Sequence, residues 1–489
     1  MDRASGLLLP LSALPSPYGV GSMGKPALDF IDFLAEAGQS WWQLLPLGPT
    51  GFGDSPYQSF STFAGNPYYI DPEDLYRQGL ITRSELAALP RSTGPVDYAM
   101  LYETRPPLLA KACARGWERD AAAVESFLRV NAWAEDYALY MAIKAHNHML
   151  PWAQWPDEAL RRRDPQALAR AKEEYQEEYR TQLYTQFLFF RQWSAVREHA
   201  AEKRVKLLGD LPFYVAPDAA DTWAEPRFFQ LDQDYRPRAV AGVPPDYFSE
   251  DGQLWGNPLY DWHVMAADGH GWWIRRLEGA LRMYDAVRID HFRAFDSYWS
   301  IPAGAKTARE GKWVDGPGLP LLRMLKNWFP GLTLVAEDLG DLRPSVTTLR
   351  QACGFPGMKV LQFAFDAPGV SSHQPHTYER ESVCYLGTHD NDTALGWLRS
   401  APPEVRERAT AYLGLNSQEG LVEGLIRGAM SSVSQLCILR PQDLLGLGSE
   451  ARINTPGTPM GNWTWRLQDA QLTPALAASL LELARRYGR

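Results

Sequence analysis

Short apolar runs recur along the chain, each ending in polar or small residues: Trp41 to Pro49, Val205 to Phe213, Ala286 to Phe292, Leu332 to Gly340, Val360 to Phe365, Val383 to Asp390 and Gln435 to Leu445. Runs of this length, closed by turn formers, read as buried strands. Between several of them apolar positions recur with the helical period, over Pro26 to Ala37, Leu319 to Phe329 and Arg343 to Ala352. Buried strands alternating with helices predict a parallel α/β architecture. The polar residues gather at the C-terminal ends of the runs, where barrel active sites are built.

Two stretches break the alternation. Residues from about 68 to 190 read as a largely helical insertion, and within it the charge-dense segment Asp157 to Arg180 reads as a solvated helical face. Residues from about 214 to 273 are rich in Pro, Gly, Asp and aromatics. That composition predicts a long looped insertion after a strand, a common seat of substrate-binding elements. No internal repeat or low-complexity linker divides the chain. At the N-terminus, Arg3 precedes the apolar run Gly6 to Leu14, which resembles a signal peptide. Asp2 is acidic, however, and Pro10 and Pro15 interrupt the run, so it reads as a short buried strand followed by a loop.

Composition narrows the classes. The 489 residues are 45% hydrophobic and 22% charged, the balance of an ordinary globular protein. A net charge of −9 argues against nucleic acid or an anionic membrane as a partner, and says nothing against a neutral ligand such as a sugar. No apolar run is long enough to span a membrane, so the cytoplasm is the expected compartment. Cys113, Cys353, Cys384 and Cys437 are far apart without a CxxC pair, and read as buried reduced thiols rather than zinc ligands. The aromatic count is high, with 18 Trp, 22 Tyr and 19 Phe. Part of that excess fits a cleft that stacks sugar faces on indole rings. Other members read as core: adjacent Trp41 and Trp42 are expected to pack, and Asp71, Asp97 and Asp221 to cap helices or loops.

Three segments carry candidate chemistry. In Ala286 to Arg293, strand alternation puts Arg288 and Asp290 on one face, where the guanidinium lowers the carboxylate's pKa and holds it ionised. An ionised, oriented carboxylate suits attack on an anomeric carbon; a structural Arg–Asp pair is the plain alternative. In Leu334 to Gly340, an apolar run delivers Glu337 to its polar end, where apolar neighbours can raise its pKa and make it a proton donor. Asp338 points the other way; a capping role for Glu337 is the alternative. In Gly387 to Thr393, an unbroken polar run closes a strand, and Asp390 can grip sugar hydroxyls. A metal bound by His389 and Asp390 is the competing reading, and the spacing offers it no second histidine. Carboxylates on separate strands of an α/β fold fit glycoside cleavage, which needs one ionised and one protonated carboxyl.

At these residues the sequence resembles the amylomaltases, the 4-α-glucanotransferases of glycoside hydrolase family 77 in the α-amylase superfamily. The likeness runs from Gly6 to about Trp465. It is carried by Gly53-Asp54-Ser55-Pro56-Tyr57-Gln58-Ser59-Phe60, Ala64 to Tyr68, Gly209-Asp210-Leu211-Pro212 and Gly242 to Ser249 continuing through Gln253 and Trp255 to Tyr260. The segments with Asp290, Glu337 and Asp390, Gly448 to Arg452, and Gly461-Asn462-Trp463 carry it as well. The resemblance implies a (β/α)8 TIM barrel over 1–489, with inserted helical and looped subdomains and no separate C-terminal β-sandwich. It implies Asp290 as nucleophile, Glu337 as general acid/base and Asp390 as transition-state stabiliser. Arg288 and His389 would contact the reacting sugar, with Asp210 at the edge of that subsite. Tyr57, Ser55, Gln253 and Trp255 would bind substrate, Tyr57 and Trp255 on the acceptor side, and Asn462 would add a weaker contact. Phe52 stands where relatives can carry Tyr, which bears on a remote glucan site. The implied reaction is retaining transfer of α-1,4-glucan segments to the 4-hydroxyl of an acceptor, with no cofactor or metal. The implied partners are maltooligosaccharides, amylose and starch- or glycogen-derived glucans. A hydrolase of the same superfamily would share the intermediate and the three carboxylates. A glucan-binding protein on a dead barrel would usually lack one of them.

Overall fold

The computed structural model describes every residue except Met1, Phe52, 246–248, Asp341 and Pro459. Among the described residues there are twelve strands, beginning with β1 (Ala4–Leu8), β2 (Trp41–Gln43), β3 (Lys206–Leu211), β4 (Ala239–Val243), β5 (Gln253–Pro258) and β6 (Ala286–Ile289). They continue with β7 (Ser297–Pro302), β8 (Lys312–Asp315), β9 (Leu334–Ala336), β10 (Gly357–Val360), β11 (Ser382–Tyr385) and β12 (Leu436–Leu439). Eight of them close a parallel barrel in the order β1-β12-β11-β10-β9-β6-β3-β2, with helices between strands, as in a (β/α)8 TIM barrel.

Alternation along the strands sorts the side chains into two cores. Leu208, Ala286, Val335, Met358, Val360, Val383, Tyr385, Leu436 and Ile438 pack inside the barrel. Leu207, Val287, Ile289, Ala336, Cys384, Cys437 and Leu439 pack outward against the helices. Trp41 belongs to the inner core and Trp42 to the outer one; both are buried, and Trp42 Nε1 donates to the Leu9 carbonyl at 2.8 Å. The four cysteines are buried free thiols.

The run Val360 to Phe365 is not a strand. Pairing with β11 covers Gly357–Val360 and pairing with β9 falls at Gly357, after which Leu361–Phe365 turns into a 3-10 helix. Gly357 is required there, because a Cβ would lie 2.3 Å from Asp338 Oδ2.

Between residues 68 and 190 the chain runs through successive helices, the last of which, Gln176–Glu202, leads into β3. Asp71 and Asp97 cap their helices, accepting from the amides of Asp74 and Met100. Asp221 instead lies inside the first turn of a helix and bonds the loop after β2, at the Thr62 amide (2.9 Å) and hydroxyl (2.7 Å). Residues 214–273 are not loop alone. They supply β4 and β5, which join β7 and β8 in an antiparallel sheet of order β5-β4-β7-β8. That sheet carries Gln253 and Trp255 over the barrel mouth beside the end of β6. Among the described residues, no helix is long and apolar enough to cross a membrane.

Candidate active site

Asp210, Arg288, Asp290 and Glu337 continue the inward-facing parity of Leu208, Ala286 and Val335. β3, β6 and β9 are consecutive in the barrel, so three carboxylates end neighbouring strands. Backbone bonds carry the ladder past the strand ends: the Asp290 amide donates to the Leu211 carbonyl at 3.0 Å and the Glu337 amide to Ile289 at 3.1 Å.

Arg288 is buried and holds two carboxylates. Its Nη1 lies 2.7 and 2.8 Å from the oxygens of Asp210, its register partner on β3, and its Nη2 lies 3.0 Å from Asp290 Oδ1. Arg288 therefore shares a face with Asp290, but its closer partner is Asp210. It does not carry Asp290 below the ordinary carboxylate range, as strand alternation alone leads one to expect. Burial pushes the Asp290 carboxyl up to about 6, outweighing the opposing pull of Arg288, and the charge of Asp210 adds to the rise. Burial likewise lifts Glu337 to about 7 against the same guanidinium, with Asp290 adding to the rise. Two interacting carboxyls raised to neighbouring values titrate as a pair, so each apparent value belongs to both.

Glu337 is aimed by two amides. His291, in a left-handed conformation at φ 54°, donates its N–H to Glu337 Oε2 at 2.7 Å, and Leu339 donates to Oε1 at 3.0 Å. Asp338 faces the opposite side, accepting from the Met358 amide at 2.7 Å and pairing with Arg350 Nε at 3.0 Å.

The polar run after β11 forms the other wall. Asp390 Oδ1 accepts from Asn454 Nδ2 at 2.6 Å and lies 3.4 Å from His389 Nε2. Tyr57 joins this wall to β3: its hydroxyl lies 2.7 Å from Asp210 Oδ2 and 3.0 Å from His389 Nε2. Burial and the charge of Asp210 hold the phenol far above its usual range, so it keeps its proton. That proton goes to Asp210, so His389 donates from Nε2 to the phenol oxygen. The rings of Tyr57 and His389 stack at 5.3 Å, with Trp463 within 6.0 Å of both.

Trp255 occupies a different position. Its indole meets the His291 ring edge-on at 4.8 Å and donates to Gln253 Oε1 at 3.1 Å. Tyr57 thus packs with Asp210 and His389, whereas Gln253 and Trp255 sit beside the segment that aims Glu337. Ser55 does a local task, accepting the Tyr57 amide at 3.3 Å in the turn that presents the phenol. Asn462 uses its amide within its own loop, accepting from Thr455 N at 2.9 Å and donating to the Thr458 carbonyl at 3.0 Å. Phe52, and with it the remote glucan contact, lies outside the described residues, as does 246–248 of the Gly242 to Ser249 motif. Sequence reasoning passed over Asn454, which lies in the stretch between the Gly448 to Arg452 and Gly461 to Trp463 motifs; its contact with Asp390 spans 64 residues. It also passed over His291, although that residue directly follows Asp290.

The sequence model of the 4-alpha-glucanotransferases, glycoside hydrolase family 77, matches residues 9–473. A 4-alpha-glucanotransferase of Thermus thermophilus is 48% identical over 497 residues, spanning 99% of this chain and 98% of its own. One from Streptococcus pneumoniae is 46% identical over 492 residues, spanning 100% and 97%. A solved structure, the amylomaltase from Streptococcus agalactiae in complex with acarbose, superposes with a TM-score of 0.97 at 39% identity and covers 100% of both chains. Matches of this length and identity settle the assignment: the chain belongs to glycoside hydrolase family 77, the 4-alpha-glucanotransferases.

Proposed function

We propose that this 4-alpha-glucanotransferase works by retaining double displacement. Asp290 attacks the anomeric carbon of the donor glucan while Glu337 protonates the leaving 4-oxygen. A covalent glucosyl ester on Asp290 forms with inverted configuration. Glu337, now a carboxylate, takes the proton from the 4-hydroxyl of the acceptor, whose oxygen displaces Asp290 and restores the α-linkage. Asp390, with Arg288 and His389, grips the reacting sugar as charge develops on the ring. The observation that carries this reading is geometric: Asp290 lies 3.0 Å from the Arg288 guanidinium, while Glu337, at the end of the neighbouring strand, is held by two backbone amides and, among the described residues, by no cation.

The proposed substrates are maltooligosaccharides, amylose and starch- or glycogen-derived glucans. The acarbose complex of the Streptococcus agalactiae amylomaltase supports a saccharide ligand for this chain. The edge-on placement of Trp255 beside His291 supports an acceptor site walled by an aromatic ring next to the acid/base. Four free, buried thiols fit a reducing cytoplasm.

The test is covalent capture. Glu337→Gln, given an α-glucosyl fluoride donor, forms the ester without needing acid help and cannot resolve it by base. Mass spectrometry should find one added glucosyl group on the peptide bearing Asp290. A label on another residue, or none while fluoride is released, overturns the assignment. With maltotriose, the native enzyme should give longer maltooligosaccharides plus glucose and little gain in reducing ends.

A further inference from the structure

Beneath the wall that carries Asp390 lies a buried guanidinium that touches no part of the cleft. Arg440 directly follows β12 and is 2% exposed. Its Nε and Nη2 lie 2.8 and 3.1 Å from the carboxylate of Asp443, which is also buried. Its Nη1 donates to the carbonyls of Thr388 (2.7 Å) and Asn391 (3.0 Å), and Nη2 to that of Asp392 (2.8 Å). All five N–H groups of the guanidinium are thereby engaged. Asp443 Oδ1 also accepts the Ala394 amide at 2.7 Å, and Gln362 Nε2 donates to the Asp392 carbonyl at 3.0 Å. The segment 388–394 is therefore gripped from below at four backbone points by one ion pair. Gly387 leaves room for it, because a Cβ there would lie 2.8 Å from Arg440 Nη2.

Stability does not account for this arrangement. An ion pair buried this deeply returns little net folding energy, and an apolar pair of similar volume often serves as well or better. An apolar pair cannot bind three carbonyls that point at one spot, and a lysine ammonium lacks the planar five-donor fork. What the fork adds is a fixed course for the loop that presents His389 and Asp390. We infer that Arg440 is a positioning residue for Asp390, with Asp443 as its anchor. The inference rests on Asp390 acting in the transition state.

The experiment is a double-mutant cycle between Arg440→Lys and Asp390→Asn, read as kcat with an α-glucosyl fluoride donor, whose good leaving group keeps slow variants measurable. Arg440→Lys alone should lower kcat roughly 10- to 100-fold with the acceptor KM within about twofold, the split expected when an interaction made only in the transition state is weakened. In the Asp390→Asn background the same change should cost about twofold or less. An equal loss in both backgrounds, or a folded Arg440→Lys enzyme with native kcat, overturns the inference. If Arg440→Lys does not fold, Gly387→Ala takes its place in the cycle, since its Cβ displaces the fork with every charge kept. If Asp390→Asn itself leaves kcat unchanged, the role given to Asp390 fails instead.

Discussion

The Tyr57 hydroxyl donates to Asp210 across 2.7 Å, and through that bond the loop after β2 is fastened to the carboxylate that also holds Arg288. Tyr57→Phe keeps the ring stacked on His389 and removes the bridge. Asp210 and His389 then each lose a partner in a buried setting, a loss worth about 1–3 kcal/mol. We expect kcat/KM to fall roughly 10- to 100-fold while thermal stability changes by a few degrees at most, measured by initial rates and calorimetry.

Activity should follow a bell-shaped pH profile. The acid limb reports ionisation of the carboxyl pair near 6, where Asp290 becomes a nucleophile. The alkaline limb reports loss of the Glu337 proton near 7. Each apparent value belongs to the pair. A donor with a fluoride leaving group needs no proton, so its glucosylation step should keep the acid limb and lose the alkaline one. An unchanged alkaline limb with that donor would count against Glu337 as the acid.

The same shifts set a stability trend. Both carboxyls are raised above their ordinary values, so the native state holds protons that the unfolded chain has released. Their contribution is fully present below about pH 4 and is lost as pH rises through about 6 to 7. Glu337→Gln removes its share of the loss. Relative to the native sequence it should gain about 1–2 kcal/mol on going from pH 5 to pH 8, read from denaturant midpoints at the two pH values.

On the far side of β9, Asp338→Ala leaves the Arg350 guanidinium buried without its closest carboxylate, with Glu379 3.1 Å away as its remaining acidic partner. Breaking a buried pair by removing one member costs about 3–5 kcal/mol. Asp338→Asn, which can still accept the Met358 amide, should cost less. Equal effects of the two changes would show that the cost comes from the charge of Asp338, which both remove, and not from the bond to the Met358 amide that Asn keeps.

Trp255→Ala removes the ring that meets His291 edge-on, next to the amide that aims Glu337. If Trp255 walls the acceptor site as proposed, its loss admits water there. Transfer products from maltotriose should fall and reducing ends rise, with glucosylation of Asp290 altered less than its discharge to acceptor.

Strand alternation carried much of this site, because parity along a strand is a local property. Leu208 to Asp210, Ala286 to Asp290 and Val335 to Glu337 each keep one parity, and the barrel turns it into one wall. What alternation could not report was which strands are neighbours. That Arg288 lies closer to Asp210 than to Asp290 depends on β3 standing beside β6. The pairing of Asn454 with Asp390 depends on a loop returning across 64 residues. The run Val360 to Phe365 was apolar enough to read as a strand, yet its residues past Val360 are core contacts of a 3-10 turn, a distinction that hydrophobicity alone does not make. Asn462, a polar residue in a family motif, spends its side-chain amide within its own loop, which the motif alone does not report.

The small antiparallel sheet draws β4 and β5 from before β6, and β7 and β8 from after it. The edge bearing Gln253 and Trp255 is thereby stitched into both flanks of β6. Anyone seeking to alter product length by exchanging that rim between relatives should treat residues 239–315 as a single cassette. A graft of the β4–β5 hairpin alone would sever its seam with β7 and set Gln253 and Trp255 adrift from Asp290 and Glu337.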